Sequence, residues 1–451
     1  MSVVDVLIDK VADLPELPPD IEASARLHFL DAVGVGLAAT RRGPVRELPS
    51  TVATTGPCTV LGADATTSPA EAALVNGTLI HSLEYDDTHT GSVMHGSSVL
   101  APAVLAAAED TGADGRQVIK AFAVGWEVLV RLGLASPSGF QRVGFQGTSV
   151  AGPLAGALAV GLINGLDRER LADAIGVAAS FAAGNFTFLA SGATSKAAQA
   201  GIAAQAAVSA VRLVGGGVTG ARTVFEGERG FFGLYARDAA AAERFQSSLE
   251  DLGTRWYLAE AAFKGLPCCH FLHPFVEAVA ELNLGPGGHE RLQRLTCHVP
   301  TGQEHVIAVP WERKQSPERA DEARWSLPYV VALQAVRGQV DLDDFVGEPD
   351  PEVVRFAQRV TWEPWPDSGY PARFPAKLEA VWDDGSRQLV RIPDVDGNGS
   401  RPWDATRVIA KFRDNCAAAG VDPASTDSVA EAIVNAAQPD LAVVRRLAGR
   451  A

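Results

Sequence analysis

The stretch VGFQGTSVAGPLAGALAVGLINGL at 143–166 carries no charge, and AIGVAASFAAGNFTFLASGATSKAAQAGIAAQAAVSAV at 174–211 carries only Lys196. Each is long enough to suggest a membrane span. Composition argues against that reading, because both are built of Ala, Gly, Ser, Thr and Asn rather than Leu and Ile, and Pro153 interrupts the first. Small residues let helix backbones approach closely, so the two stretches are expected to be buried helices of a bundle, with no membrane partner.

Outward from them, toward the N-terminus, helical signals continue. Pro18-Pro19-Asp20 opens a helix through IEASARLHFLDAVGVGLAA, and Ser68-Pro69 supplies an N-cap and a first-turn proline before AEAALVNGTLIHSL. Past about residue 285 the texture changes. RLQRLTCHVP and EHVIAVP resemble short strands, AKLEAVW–DDGS–RQLVRIP reads as a hairpin turning at Asp384-Gly385, and TWEPWPDSGYP reads as a loop. From Trp403 helical signals return, with Asp404 as an N-cap. The expected fold is mainly α: a large all-helical domain, residues 1–265 and 398–451, with an inserted smaller α+β domain, residues 266–397.

The whole chain has 451 residues and a formal charge of −15, which disfavours phosphate backbones and leaves no nucleic-acid partner expected. At 47% hydrophobic and 21% charged it can bury a large core. Five cysteines form no CxxC pair, and the first ten residues carry acids where a secretory signal would be basic, so a cytoplasmic location is expected. Of 39 basic residues only seven are Lys, which makes each Lys worth inspecting.

Chemistry concentrates in three places. His81, Glu84, Asp86, Asp87, His89 and His95 fall within fifteen residues, a density that serves proton transfer or else a solvated loop capping its neighbours. Lys196 stands alone among thirty-eight residues, and an unpaired buried ammonium costs several kcal/mol, so it should face an acid, a cavity or an anion. In Leu266-Pro267-Cys268-Cys269-His270-Phe271-Leu272-His273, the two His share a face if the segment is helical. Adjacent Cys suit a tetrahedral metal poorly; the alternatives are a zinc site or buried structural cysteines.

Taken in order, LHFLDAVGVGLA, NGTLIHSLEYDDTHTGSVMHGS, GFQGTSVAGPLAGALAVGLINGLD, the SK…AGIAAQAA stretch with EGERGFF, FKGLPCCHFLHPFVEA, WSLPY and KFRDN make the chain resemble the MmgE/PrpD family over nearly its full length. That family contains 2-methylcitrate dehydratases, cis-aconitate decarboxylases and iminodisuccinate epimerases. The resemblance implies a helical domain and an α+β lid with the site between them, a homodimer, no cofactor and no metal. It implies Thr88, His95, Lys196 and His273 as site residues, Glu84 at a position normally Asp, and Tyr329 as an aromatic near the pocket. Two positions depart: Gln146 stands where the family often has His, and Gly96 where it usually has Pro. Gln binds a carboxylate but does not shuttle a proton.

The expected function is therefore a lyase acting by β-elimination on a small acidic substrate, with epimerisation or decarboxylation as alternatives and an inactive binding protein as the reading from another class. His95 and His273 would be acid and base, Lys196 would hold the substrate, and Glu84, Asp86 or Asp87 would orient an imidazole. Thr88, His89, Gln146, His270 and Tyr329 would bind substrate, in a locally basic pocket.

Overall fold

The first uncharged stretch folds as one buried helix, Gly147–Ile163. The second is the end of a helix (Arg168–Ala178), a link at 182–194 that is mostly exposed or half-buried, and a long helix from Ser195 that packs on the first. The expectation of a buried helix fails for the link. In the computed structural model, which describes residues 1–448, the helical body is built on α1 (Pro19–Arg42), α2 (Pro69–Ser82), α3 (Ser97–Thr111), α4 (Gly115–Ala135), α5 (Gly147–Ile163) and α6 (Ser195–Gly215). Proline begins α1 and α2, and the Ser68 hydroxyl accepts the Glu71 N–H at the start of α2. By length and composition α6 could cross a membrane, and 61% of its most apolar window is buried inside the molecule. It packs on α2, α3 and α5.

The α2–α6 contact depends on two glycines. A Cβ on Gly201 would sit 2.2 Å from the Leu74 carbonyl oxygen, and one on Gly77 would sit 2.8 Å from the Gly201 Cα. Backbone meets backbone there, and this close approach carries Lys196, at the start of α6, to the end of α2.

After residue 265 a four-stranded sheet appears: β1 (Leu292–Pro300), β2 (Val360–Trp365), β3 (Ala376–Trp382) and β4 (Arg387–Ile392), in spatial order β2-β1-β3-β4. β1 and β2 are parallel, while β1–β3 and β3–β4 are antiparallel, with Gly385 at φ 81° in the hairpin turn. Two sequence expectations change. EHVIAVP is the one-turn helix Glu304–Ile307 and not a strand, because β1, just before it, already has a partner on each side. The first half of TWEPWPDSGYP is strand β2 rather than loop, and Pro364 is tolerated because β2 lies at the sheet edge.

Two separate hydrophobic cores result. One runs from Val3 to Ala261 and takes in Phe412, Cys416, Val429 and Leu447 from the chain end; the other runs from Cys268 to Val395. The returning helix α7 (Ala405–Ala418) packs on α1 and is capped by Asp404, which accepts the Arg407 N–H at 2.8 Å.

Candidate active site

The acid-rich segment after α2 is held in a strained path. Glu84 adopts φ 53° and Val93 φ 55°, and a β-branched residue in the left-handed region is a true outlier. Backbone bridges fix it: Thr88 and Ala262 exchange N–H···O bonds of 3.0 and 2.8 Å, and the His89 N–H reaches the Met94 carbonyl at 2.9 Å.

This path buries the carboxylates against imidazoles. Asp87 accepts from His28 Nδ1 at 2.7 Å and from the Ser97 N–H at 3.2 Å, as well as from the Ser97 hydroxyl. Asp86 Oδ2 accepts from His81 Nδ1 at 2.8 Å and faces His95 Nδ1 at 3.5 Å, while its Oδ1 faces Lys264 Nζ at 3.8 Å. Burial alone would raise the Asp86 pKa, but His81, Lys264 and His95 outweigh it and hold the carboxyl well below its usual range.

His95 Nδ1 lies 3.2 Å from the Asp87 carbonyl oxygen and 3.2 Å from Thr88 Oγ1. A carbonyl only accepts, so Nδ1 carries the proton and Nε2 the lone pair. Burial, joined by the Lys264 ammonium, keeps this imidazole well below its ordinary pKa, hence neutral.

Lys196 forms a buried ion pair with Glu84, and its Nζ lies 5.7 Å from the centre of the Trp325 ring. Lys264 Nζ donates to the Glu84 carbonyl at 3.0 Å and stands 3.9 Å from its Oε2. Burial pushes Glu84 up, and the two ammonium groups bring it back below the ordinary value.

From the other core comes His270, 3% exposed, with neither ring nitrogen hydrogen-bonded. Burial and the neighbouring His273 keep it neutral. His273 Nε2 donates to the Cys268 carbonyl at 3.3 Å, and burial lowers its pKa to about 3. Cys268 and Cys269 are buried free thiols, and burial pushes Cys269 up to about 11.

A cavity of about 200 Å3 has Glu84, Thr88, His95, Gln146, Lys196 and His270 on its wall. Asp86, Asp87 and His273 stand behind it. His89 turns away, its Nδ1 on the Ser92 hydroxyl at 2.9 Å and its Nε2 facing Glu260 at 4.0 Å. Tyr329 lies in the second core, its hydroxyl accepting the Asp350 N–H at 3.0 Å; the aromatics on the wall include Trp325 and Tyr370 instead. Gln146 also caps α5, its Oε1 accepting the Ser149 N–H at 2.6 Å.

Gly96, the other departure, has a packing reason. A Cβ there would lie 2.4 Å from the Trp126 ring, whose Nε1 donates to Ser97 Oγ at 3.2 Å.

Lys264, His28 and Arg324 were not singled out by sequence. Arg324 donates to the Leu83 carbonyl at 3.0 Å and the Pro267 carbonyl at 2.5 Å, tying the acid-rich segment to the Pro-Cys-Cys segment. Scarcity was the available signal for Lys264: four of the seven lysines (196, 264, 314 and 411) are buried. The expected basic pocket is also revised. Lys196 and Lys264 are matched by Glu84 and Asp86, and Lys411 by Asp31 at 2.8 Å, because an unmatched buried charge is too costly. His81, Asp86 and His95 offer three ligand atoms within 4.8 Å of one another, but a metal ion on Asp86 would sit against the Lys264 ammonium.

A small cavity ringed by neutral imidazoles and ion-paired groups suits acid–base chemistry, and comparison with known proteins makes the chain a lyase-type enzyme. It belongs to the MmgE/PrpD family: the family model for the MmgE/PrpD N-terminal domain matches residues 10–243, and that for the C-terminal domain matches residues 266–436. The second match extends past the sheet into Phe412, Cys416, Val429 and Ile433, which lie in the helical core. A cis-aconitate decarboxylase of Aspergillus terreus (strain NIH 2624 / FGSC A1156) is 28% identical over 435 residues, covering 88% of this chain and 85% of that protein. The cis-aconitate decarboxylase of Mus musculus is 27% identical over 425 residues, covering 88% and 82%. The cis-aconitate decarboxylase-like protein oryM of Aspergillus oryzae is 26% identical over 351 residues, covering 73% and 72%.

Proposed function

We propose that the chain is a cofactor-independent lyase that eliminates water from a small carboxylated hydroxy substrate. The observation that carries this reading is the pair of buried neutral imidazoles, His95 and His270, on the wall of one cavity, contributed by different cores. His95 Nε2 takes the proton from the carbon beside the substrate carboxylate. The C–H electron pair forms the new double bond, the neighbouring C–O bond breaks, and the oxygen leaves as water with a proton from Lys196 Nζ. Glu84 holds Lys196 in place, Asp86 stabilises the imidazolium that His95 becomes, and the unpartnered His270 receives the carboxylate. A substrate carboxylate near His95 would also raise its pKa toward neutrality, where a general base works best.

Residues 1–265 with 398–451 form the catalytic helical domain of this proposal, and 266–397 form a lid; the two separate cores support that division. Residues 449–451 lie outside the described ones. A cytoplasmic homodimer completes the proposal, with exposed Ile202 and Leu213 on α6 as apolar surface for a second copy.

The relatives' names favour decarboxylation as a second reading, in which the same groups protonate the carbanion left by CO2. The deciding experiment screens hydroxy acids for ultraviolet absorbance of a new alkene and for CO2 in the same samples, with Lys196→Met as control. Alkene without CO2 is expected. CO2 release selects the second reading, and a change of configuration alone, or equal activity of the control, overturns the mechanism.

A further inference from the structure

The cavity wall carries two unlike kinds of residue, the polar groups Glu84, Thr88, His95, Gln146, Lys196 and His270 and a set of aromatic rings. Six aromatic rings line the space beside the polar groups: Phe186, Phe188, Trp325, Phe271, Tyr370 and Phe374, with the Trp325 ring centre 5.7 Å from Lys196 Nζ and that of Phe374 5.6 Å from that of His270. They form two clusters. Phe188 bridges Phe186 and Trp325, each with ring centres 5.8 Å away, and Phe271 lies 5.6 Å from Tyr370 and 4.8 Å from Phe374.

From this lining we infer that the substrate is a monocarboxylate bearing an apolar substituent of about phenyl or branched-alkyl size, and not a tricarboxylate. The inference rests on the lyase reading for its reacting end, and on the aromatic wall for its other end.

Charge makes the first argument. Three carboxylates need fixed cations, and Lys196 is already neutralised by Glu84. Lys264 is fully buried, absent from the wall and committed to Glu84 and Asp86. What remains on the wall is exposed: Arg142, which donates to the Pro137 carbonyl at 3.2 Å, and His305. Exposed cations hold anions weakly in water.

Glu84 makes the second argument. It is one methylene longer than the Asp that the family resemblance places there, and that length lets its carboxylate reach Lys196. Surface energetics make the third: an apolar group entering among six rings gains roughly tenfold in affinity for each 50–60 Å2 it buries, whereas a carboxylate there loses its hydration without a partner.

The test is calorimetric binding of trans-cinnamate, an alkene product of the inferred class, and of cis-aconitate to the purified full-length chain. Cinnamate is expected to bind at least about tenfold more tightly. Phe188→Ala should weaken cinnamate about tenfold and leave cis-aconitate unchanged, and Phe186→Ala, at a half-buried ring, gives the same comparison if the first variant does not fold. Glu84→Asp, which withdraws the carboxylate from Lys196, should shift preference toward cis-aconitate. Tighter binding of cis-aconitate by the unaltered protein, binding of neither acid, or equal weakening of both by the Phe variants overturns the inference. Turnover of 3-hydroxy-3-phenylpropanoate is measured separately: tight cinnamate binding without turnover sinks the lyase reading and leaves the ligand class standing.

Discussion

Lys196 and Glu84 show how a single buried charge constrains its surroundings. Removing one partner leaves the other buried without compensation, so Lys196→Met or Glu84→Gln should each cost about 3–5 kcal/mol. The double variant should cost less than either, and urea unfolding measures all three. Lys196 was legible because its neighbours in sequence carry no charge. Lys264 was not: its partner Glu84 is 180 residues away, and nothing within the sequence around Phe263-Lys264-Gly265 marks it as buried. His273 makes a different prediction. Its folded pKa of about 3 lies below the unfolded value of about 6.5, so the unfolded chain takes up a proton that the folded one refuses. Stability from this group is therefore complete above about pH 6.5 and falls as pH drops toward 3. His273→Gln should remove roughly 2–3 kcal/mol of the stability difference between about pH 6 and pH 4, read from urea midpoints at the two pH values.

At the level of elements, the decisive contact is the crossing of α2 and α6. Gly201→Ala would push a methyl against the Leu74 carbonyl and the Thr78 hydroxyl, both 2.2 Å from the new Cβ. Backbone cannot yield as a side chain does, so a loss of about 1–3 kcal/mol is expected, seen as a lower urea midpoint. Activity should fall further than stability, because the same shift separates Lys196 from Glu84. Small-residue composition announced that these helices would pack closely; which glycine meets which backbone was not readable. Local patterns also fixed the start of α2 and the β3–β4 hairpin, where caps and turn residues act within a few positions. They failed at Glu304–Ile307 and at β2, where pairing depends on which strand edges are free.

Across the whole molecule, the chain end completes the first core. A protein ending at residue 397 would lack Phe412, Cys416, Val429 and Ile433 and would leave Asp31 without Lys411. It should show no cooperative thermal transition and little near-ultraviolet circular dichroism, whereas the intact chain shows both. The sequence by itself determined the mainly helical character, the change of texture after about residue 285, the family, and the candidate cluster around Glu84, Asp86, His95 and Lys196, because residue type, spacing and turn chemistry act locally. Only the tertiary structure decided which of these side chains face the cavity. It set His270 on the wall with His273 behind it, turned His89 and Tyr329 away, matched Lys196, Lys264 and Lys411 with carboxylates, and brought six aromatic rings to the cavity wall. Those outcomes follow from burial: a buried charge must find its opposite and a buried ring its neighbours, and both arrive from distant parts of the chain.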